Sequence, residues 1–529
     1  MSSSQRPIPI YHTLQEIYPN SHLSQAKRWN SLIEKFEQIY GHKPTAICRA
    51  PGRVNLIGEH IDYAGFGVLP AAVEFDILIA LATRTSRSKV CEDGEDEMIV
   101  AENMDERYKM QKFTPYKTEE GAWELGVDKV TGGWVNYVKA GFCGVLEQHI
   151  EDSAAHADLL VTGSVPDGAG LSSSAAMVVA STISFLFLND AHERCNQGQL
   201  VDMAMRNERV VGVNSGGMDQ AASVMGSVDS ALYISFFPAL EATQVPMPQS
   251  ARFVISNTLE THNLFNSGKI HYNLRVVESS IAGLFFAKHL SLSISSPASA
   301  QSEPFRPTLR QLVQQYITER GADLSLEEAI RTILKHLDEA LGLDGKAEIG
   351  WTWKEIKEHA KDKCGLDEEQ FERVYGENWI EVEATHFALY KRTRHILTES
   401  LRVLLFKKTC NAFADPADSE EKEEKVLEKL AEIMNESQNS CRDDFDCSSS
   451  ELNALQQICL AGGAIGSRLT GAGWGGCTVS LLPANLSIET FKTYLRQTYK
   501  GYKGLNDEAF DNAVLETSPG SGAGIYLVD

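Results

Sequence analysis

A turn rich in glycine and serine at residues 165–177, which reads VPDGAGLSSSAAM, has the residue types that bind phosphate. Glycine lets a ligand approach the backbone closely, and the first N–H groups of the apolar helix that follows lack intrahelical acceptors. With the helix dipole, these groups form an anion site, and the serine hydroxyls suit phosphate oxygens or Mg²⁺. The turn is neither a Walker A loop, since no lysine follows its glycines, nor a GxGxxG turn. The sequence therefore predicts a nucleotide site whose positive charge comes from another segment.

The segment at residues 50–63, APGRVNLIGEHIDY, supplies such a charge. Arg53 follows a Pro-Gly pair, which predicts a turn, and Glu59, His60 and Asp62 come shortly after it. Carboxylates accept hydrogen bonds and a neutral imidazole both donates and accepts, so these side chains suit the hydroxyl groups of a sugar. Polar groups clustered among apolar residues favour a binding site over a solvated surface hairpin.

Two carboxylates accompany the segment at residues 211–221, VGVNSGGMDQA. We expect Asp219 to lie on a tight turn, because two glycines come just before it in the sequence. We expect Glu208 to lie near the end of an apolar helix around residues 200–211. One carboxylate could hold Mg²⁺ while the other takes a proton from a hydroxyl group.

These three segments, with SRLTGAGWGGCT at residues 467–478, resemble the motifs of the GHMP small-molecule kinases. Within that family they are most similar to the fungal-type galactokinases and the related N-acetylgalactosamine kinases. They match the patterns GRVNLIGEHxDY and PxxxGLxSSxA and a sugar-site turn ending in MDQ. The motifs occur in family order from residue 50 to residue 478, so the resemblance covers nearly the whole chain. It implies an α+β, two-domain fold with mixed sheets and helices, and an active site in the cleft between the domains.

The resemblance also implies ATP-dependent phosphorylation of galactose at its C1 hydroxyl, with ATP and Mg²⁺ bound. Asp219 would be the catalytic base, and Arg53 would keep it ionised and stabilise charge on the transferring phosphoryl group. The sugar-contacting positions of the family correspond to Arg53, Glu59, His60, Asp62, Asn214, Gly217, Asp219 and Tyr272. The nucleotide-binding positions correspond to Trp134, which would stack on adenine, and to Gly168, Gly170, Leu171, Ser172, Ser173 and Ser174. The Mg²⁺ positions correspond to Ser174 and Glu208.

Two other functions stay open at this point. An N-acetylgalactosamine kinase would need a larger pocket near the sugar C2, and the motifs do not report pocket volume. A galactose- and ATP-sensing regulator would bind a transcriptional repressor without catalysis. Because the phosphate loop GLSSSAA is complete and Arg53, Glu208 and Asp219 are all present, the sequence favours an enzyme. A regulatory role beside catalysis, with a repressor as partner, is not ruled out by these residues.

Composition indicates an intracellular enzyme. The net charge of −23 argues against a nucleic-acid surface, and the 43% of hydrophobic residues is ample for a core. The ten cysteines contain no CxxC pair, which favours reduced thiols over disulfides or zinc.

The first residues, MSSSQRPIPIYHT, lack a signal-peptide core, and no stretch has the roughly 18 apolar residues of a membrane span. We therefore expect a cytoplasmic protein with galactose and ATP as ligands and with neither nucleic acid nor membrane as partner.

The patterning of the chain predicts three regions. Residues 1–43 form an extension and a first helix, residues 44–240 an N-terminal domain, and residues 241–529 a C-terminal domain with a largely helical insertion at about 308–440. Strands at residues 252–256, 477–482 and 524–528 should belong to the second domain. Ser325 and Glu328 have the spacing of a capping box that begins one of the helices of the insertion.

Overall fold

The computed structural model of the chain describes most of its length. The described ranges are 3–84, 98–128, 133–150, 153–166, 170–211, 216–260, 269–293, 305–321, 323–376, 379–413 and 420–528. Of the predicted site residues, Gly168 and Asn214 lie outside these ranges, as does most of the Ser- and Pro-rich stretch at residues 291–307.

The described residues form a mixture of strands and helices. The strands are β1 Ile10–Tyr11, β2 Ala46–Ile57, β3 Leu69–Thr83, β4 Ile99–Asn103, β5 Gln111–Phe113, β6 Tyr116–Lys117, β7 Trp123–Glu124, β8 Ala157–Gly163, β9 Ser230–Ser235, β10 Glu241–Pro246, β11 Arg252–Asn257, β12 Gly466–Thr470, β13 Cys477–Leu482, β14 Val514–Thr517 and β15 Gly524–Leu527. The α-helices are α1 Leu14–Ile17, α2 His22–Tyr40, α3 Val135–His149, α4 Ser173–Leu188, α5 Gln197–Glu208, α6 Met218–Met225, α7 Tyr272–His289, α8 Leu309–Arg320, α9 Leu326–Leu334, α10 Lys346–Ile349, α11 Trp353–His359, α12 Glu368–Tyr375, α13 Leu389–Asn411, α14 Glu420–Ser440, α15 Ser450–Ala461, α16 Ile488–Thr498 and α17 Asp507–Ala513. Short 3₁₀ segments span Ser3–Gln5, His192–Arg194, Arg209–Val211, Leu343–Gly345 and Lys500–Tyr502, and π-helical turns span Asp338–Gly342, Ala360–Cys364 and Cys441–Phe445.

The larger of the two main sheets has seven strands, in the order β1-β15-β2-β3-β8-β4-β5. The pairs β1·β15 and β4·β8 are parallel and the others antiparallel, so the sheet is mixed as predicted. Every residue of β2 is buried, and helix α4 packs against both β2 and β3. Since α4 is also buried on nearly all sides, its continuous apolar sequence reflects an interior position.

The last strand of the chain, β15, belongs to this first sheet, so its predicted place in the second domain is wrong. It pairs antiparallel with β2, with Ile525 opposite Cys48. Without it, β2 would be left with unpaired backbone groups along a buried edge. The buried Arg49 fixes the chain before β15, because its guanidinium donates hydrogen bonds to the carbonyl oxygens of Ser521 and Gly522 at 2.8 and 3.0 Å.

The second main sheet has four antiparallel strands, in the order β12-β13-β11-β14. The predicted strands at residues 252–256 and 477–482 are confirmed and lie side by side, with Arg252 opposite Leu482 and Asn257 opposite Cys477. Together with the seven-stranded sheet, this gives the predicted α+β architecture. The predicted boundary at residues 240 and 241 stays a prediction.

Helices connect β11 to β12, in the region where the sequence predicts a helical insertion. The capping box at the start of α9 is confirmed, since the Ser325 hydroxyl accepts from the Glu328 N–H and the Glu328 carboxylate accepts from the Ser325 N–H. The apolar stripe of α9 is buried at Ile330 and Ile333, as a core-packing face should be. No helix within the described ranges is long and apolar enough to cross a membrane.

Candidate active site

Arg53 and Asp219 form a two-point ion pair at the centre of the predicted site. The Arg53 Nε–H donates to Oδ1 of Asp219 at 2.7 Å, and its Nη2–H donates to Oδ2 at 2.9 Å. The guanidinium is almost completely buried, whereas 23% of the Asp219 side chain is exposed. This fork geometry holds the carboxylate in one orientation and leaves part of it open to a ligand.

Arg53 lies inside strand β2, so the turn predicted from Pro51-Gly52 is wrong. The pairing of β2 with β3 shifts register between Pro51 and Arg53, which marks a bulge in place of a turn. The Arg53 N–H donates to the carbonyl oxygen of Leu171 at 3.0 Å, and Nη1 donates to that of Gly170 at 2.5 Å. The positive charge therefore lies directly beside the glycine-rich turn.

Asp219 is the second residue of helix α6, which corrects the expectation that it lies on a tight turn. Gly217 caps this helix with φ +96°, a conformation that favours glycine. A Cβ at Gly217 would lie 2.9 Å from Sδ of Met205, so the position also lacks room for a side chain. The early helix start directs the Asp219 carboxylate toward β2.

The glycine-rich turn leads into helix α4 without a side-chain cap. Gly170 and Ser172 both have positive φ values, +66° and +58°, and no side chain within the described residues caps the first turn. The hydroxyl of Ser172 instead donates to Oδ2 of Asp219 at 2.5 Å. Ser173 and Ser174 begin the helix and are half-buried. The predicted binding of an anion by the first N–H groups of the helix stays a prediction.

The late glycine motif meets this turn from the second sheet. Thr470, at the end of β12, exchanges two hydrogen bonds with the backbone of Asn55, at 3.0 and 3.1 Å. The following N–H, that of Gly471, donates to Oε1 of Glu59 at 2.8 Å. Residues from both sheets therefore build one site.

Glu59 is buried, and other residues of the protein hold both of its carboxylate oxygens. Asn55 donates to Oε2 at 2.7 Å, and Arg468 lies 3.8 Å from the same oxygen. Burial raises the pKa of Glu59 to about 7 against the opposing effects of Arg468 and Arg53. The structure thus places this predicted sugar contact at the junction between β2 and the late glycine motif.

Asp62 and Tyr272 both lie close enough to Asp219 for its charge to act on them, and His60 packs against Tyr272. Burial lowers the pKa of His60 to about 3, so the imidazole is neutral, and its Nε2 is 2.9 Å from the Ala472 carbonyl oxygen. Burial, and next the nearby charge of Asp219, raise the pKa of Asp62 to about 6. The Tyr272 ring packs 5.7 Å from that of His60, and its pKa is raised by burial and by carboxylates that include Asp62 and Asp219.

Comparisons with known proteins show the family of this chain. A profile of the galactokinase galactose-binding signature matches residues 34–83, and profiles of the GHMP kinase N-terminal and C-terminal domains match residues 136–227 and 420–501. The galactokinase of Dictyostelium discoideum is 35% identical, with 97% of this chain and 95% of that protein covered. The chain belongs to the galactokinase family. The Saccharomyces cerevisiae and Candida parapsilosis galactokinases are 35% and 34% identical, and each alignment covers at least 95% of both chains.

The fold also matches a solved galactokinase. The Lactococcus lactis enzyme, crystallised with galactose, aligns with a TM-score of 0.64 at 24% identity and covers 94% of this chain and 99% of that one. This likeness confirms the GHMP kinase fold predicted from the motifs.

The remaining predicted site residues of this galactokinase family member lie at two nearby helix ends. Glu208 is the last residue of α5, as expected, and is buried with a hydrogen bond from the Gln220 amide. Trp134 precedes α3 and is half-buried, and its indole Nε1 is buried with no hydrogen-bond partner among the described residues. Helices α3, α4 and α5 pack against one another.

Sequence reasoning missed the contacts that join the motifs. It assigned Ser172 to the nucleotide, whereas its hydroxyl contacts Asp219 in the structure. It gave no role to Asn55, Arg468 or Thr470, although these residues link β2 to the late glycine motif. Asn55 is a polar residue between Val54 and Leu56, and this pattern was the available signal for that residue.

Proposed function

We propose that this chain transfers the γ-phosphoryl group of ATP to the C1 hydroxyl of galactose, producing galactose 1-phosphate and ADP. The observation that carries the proposal is the ion pair of Arg53 and Asp219, which lies against the start of the phosphate-loop helix. Family membership supplies the reaction class, and this arrangement supplies the groups that such a transfer requires.

Asp219 is the proposed proton acceptor. Its carboxylate accepts two hydrogen bonds from Arg53 and one from Ser172. An ionised carboxylate has about four lone-pair sites, so one remains for the sugar hydroxyl. As O1 attacks the γ-phosphorus, its proton passes to Asp219, the bond from phosphorus to the β,γ-bridging oxygen breaks, and ADP leaves. Arg53 supports this step by holding the carboxylate and by stabilising negative charge on the phosphoryl oxygens.

The sugar is proposed to bind on the exposed side of Asp219. Asp62 would accept hydrogen bonds from sugar hydroxyls, and the phenol of Tyr272 would donate or accept one. His60, Asn214 and Gly217 complete the proposed pocket. Both oxygens of Glu59 bind protein groups, so we propose that it acts on the sugar chiefly by positioning its neighbours.

ATP is proposed to bind at the start of α4. The positive φ of Gly170 and the uncapped helix terminus fit a phosphate group, because several N–H groups there point at one place. The remaining loop residues Gly168, Leu171, Ser173 and Ser174 would surround the phosphates. Trp134 would stack on adenine, and its indole N–H, which has no partner among the described residues, offers a hydrogen-bond donor to the nucleotide.

Mg²⁺ is proposed to bind between the Ser174 hydroxyl and the Glu208 carboxylate. Both groups offer oxygen atoms, which are the ligands that Mg²⁺ prefers, and Glu208 is buried beside the packed helices. The ion would neutralise charge on the nucleotide phosphates. Because Gln220 already donates to Glu208, its amide would hold the carboxylate in place for the metal.

A substrate comparison tests the proposed function. ADP release is measured from ATP and Mg²⁺ with galactose, N-acetylgalactosamine or glucose, and the phosphorylated product is identified by ³¹P NMR. We expect turnover on galactose with the phosphate at C1. A higher kcat/KM with N-acetylgalactosamine would contradict the proposed substrate. Binding of galactose and ATP without turnover would contradict the enzymatic role.

A further inference from the structure

Two histidines and one glutamate form a cluster on the helical region, apart from the residues assigned above. His289 is the last residue of α7, His336 lies just before the π-helical turn that follows α9, and Glu339 lies in that turn. One donor atom from each lies within 4.8 Å of the other two. All three side chains are accessible, with exposed fractions of 29%, 40% and 71%.

The separations within this cluster suit a shared ion better than direct hydrogen bonds. Oε2 of Glu339 is 3.7 Å from Nε2 of His289 and 3.9 Å from Nδ1 of His336. Hydrogen bonds between such atoms are about 2.7–3.2 Å long. Two donor atoms that are each about 2.0–2.1 Å from one tetrahedral Zn²⁺ lie roughly 3.4 Å from each other. Small side-chain rotations would therefore bring the donor atoms of this cluster to the distances of a zinc site.

The backbone beneath the cluster is held by apolar packing. Phe286, one turn before His289, is buried, and so are Leu337 and Leu341 on either side of Glu339. These three residues belong to one apolar cluster, and helix α7 packs directly against the π-helical turn. The donor atoms are therefore presented by two fixed elements, which lowers the entropy cost of binding an ion between them.

We propose that His289, His336 and Glu339 bind one borderline divalent metal ion of the Zn²⁺ class. Two imidazoles and a carboxylate are a common zinc ligand set, whereas Mg²⁺ and Ca²⁺ prefer oxygen ligands alone. Water would occupy the fourth position, since the cluster faces solvent. Helix α7 carries Tyr272 at its first position and His289 at its last, roughly 25 Å away at 1.5 Å per residue. The ion would therefore link the end of α7 to the π-helical turn after α9, away from the active site.

Metal titration of the full-length chain tests this site. Zn²⁺ binding is measured by equilibrium dialysis with a non-chelating reductant present, and Co²⁺ serves as a spectroscopic probe of tetrahedral coordination. The variants are His289→Ala, His336→Ala and Glu339→Gln, with the exposed His12→Ala as the matched control. Circular dichroism verifies that each variant is folded.

We expect one Zn²⁺ per chain, binding at least about tenfold weaker in each cluster variant and unchanged in His12→Ala. Zn²⁺ at 100 times its dissociation constant should shift the folding equilibrium of the unaltered chain about 100-fold and raise its Tm, and it should raise the Tm of His336→Ala by less. The absence of stoichiometric binding would overturn the proposal. Binding that persists unchanged in all three cluster variants would overturn it too, because other ligands such as the cysteines would then hold the metal.

Discussion

Gly471 lies directly against Gly170, so that a Cβ on Gly471 would be 3.0 Å from the Gly170 carbonyl oxygen. Gly170 belongs to the turn before α4, and Gly471 to the loop after β12 of the second sheet. Because Nη1 of Arg53 donates to that same carbonyl, the contact lies next to the proposed catalytic pair. A side chain at Gly471 would therefore require the Gly170 carbonyl to shift by a few tenths of an ångström.

Gly471→Ala should lower activity more than a glycine replacement elsewhere. Gly504 has the same φ of +87° but has no atom near the position of a Cβ, so Gly504→Ala is the matched control. Both variants should lose about 1–2 kcal/mol of stability from the unfavourable φ. Only Gly471→Ala should also lower kcat/KM for ATP, by about tenfold or more, because Gly170 must move. Equal kinetics for the two variants would show that the contact does not shape the nucleotide site.

Arg53→Lys should lower kcat by about 100-fold or more, although it conserves the charge. A lysine ammonium cannot contact both oxygens of Asp219 and the Gly170 carbonyl in the fork geometry of arginine. Steady-state kinetics with galactose measure the loss. Arg107→Lys is the control, since Arg107 makes a similar pair with Asp105 on the surface, where 73% of its side chain is exposed. A kcat for Arg53→Lys within threefold of the unaltered protein would be incompatible with this role.

The raised pKa of Asp62, about 6, predicts an acid limb in the activity profile. As the pH falls through 6, this carboxylate gains a proton and loses capacity to accept hydrogen bonds from the sugar. We therefore expect kcat/KM for galactose to fall below pH 6, and that limb to be missing from the residual activity of Asp62→Asn. A profile that stays flat between pH 5 and pH 7 would argue against Asp62 as an ionised sugar ligand.

Glu59 should make the folded protein less stable as the pH rises from about 4.5 to about 7. Its pKa is near 4.5 when exposed and about 7 in the fold, chiefly because of burial, so the folded state binds more protons in this interval. Stabilisation present below pH 4.5 is thus lost as the pH rises through 7, by about 3 kcal/mol in total.

Urea unfolding at several pH values measures this effect. In Glu59→Gln the group cannot titrate, so the difference in unfolding free energy between variant and unaltered protein should change by about 3 kcal/mol across the interval. The exposed Glu34→Gln is the control and should change little. A difference for Glu59→Gln that does not vary with pH would mean that Glu59 keeps its charge throughout.

Local patterns predicted several of the elements in this chain. The apolar run after the glycine-rich turn became helix α4, Glu208 ends its helix, and Ser325 with Glu328 caps α9. These features depend on neighbouring residues, whose periodicity and capping are visible in the sequence.

Errors arose where distant segments decide the structure. Pro51-Gly52 reads as a turn, but β2 continues through it as a bulge because β3 pairs on both sides of the irregularity. The final strand reads as part of the second domain, but it pairs with β2, far away in sequence. The contact of the Ser172 hydroxyl with Asp219, across a separation of 47 residues, was not predicted, while the assignment of Ser172 to the nucleotide stays a prediction. Such contacts depend on packing, which a local pattern does not contain.

The turnover of Asp219→Asn is the most direct test of Asp219 as the catalytic base. Asparagine conserves the size of the side chain and one acceptor for Arg53, but it cannot take the proton from the sugar. kcat for galactose is measured beside the dissociation constants of galactose and ATP. We expect a loss in kcat of about 1000-fold or more while both ligands still bind to the folded variant. A kcat within about tenfold of the unaltered protein would contradict the assignment of Asp219 as the catalytic base.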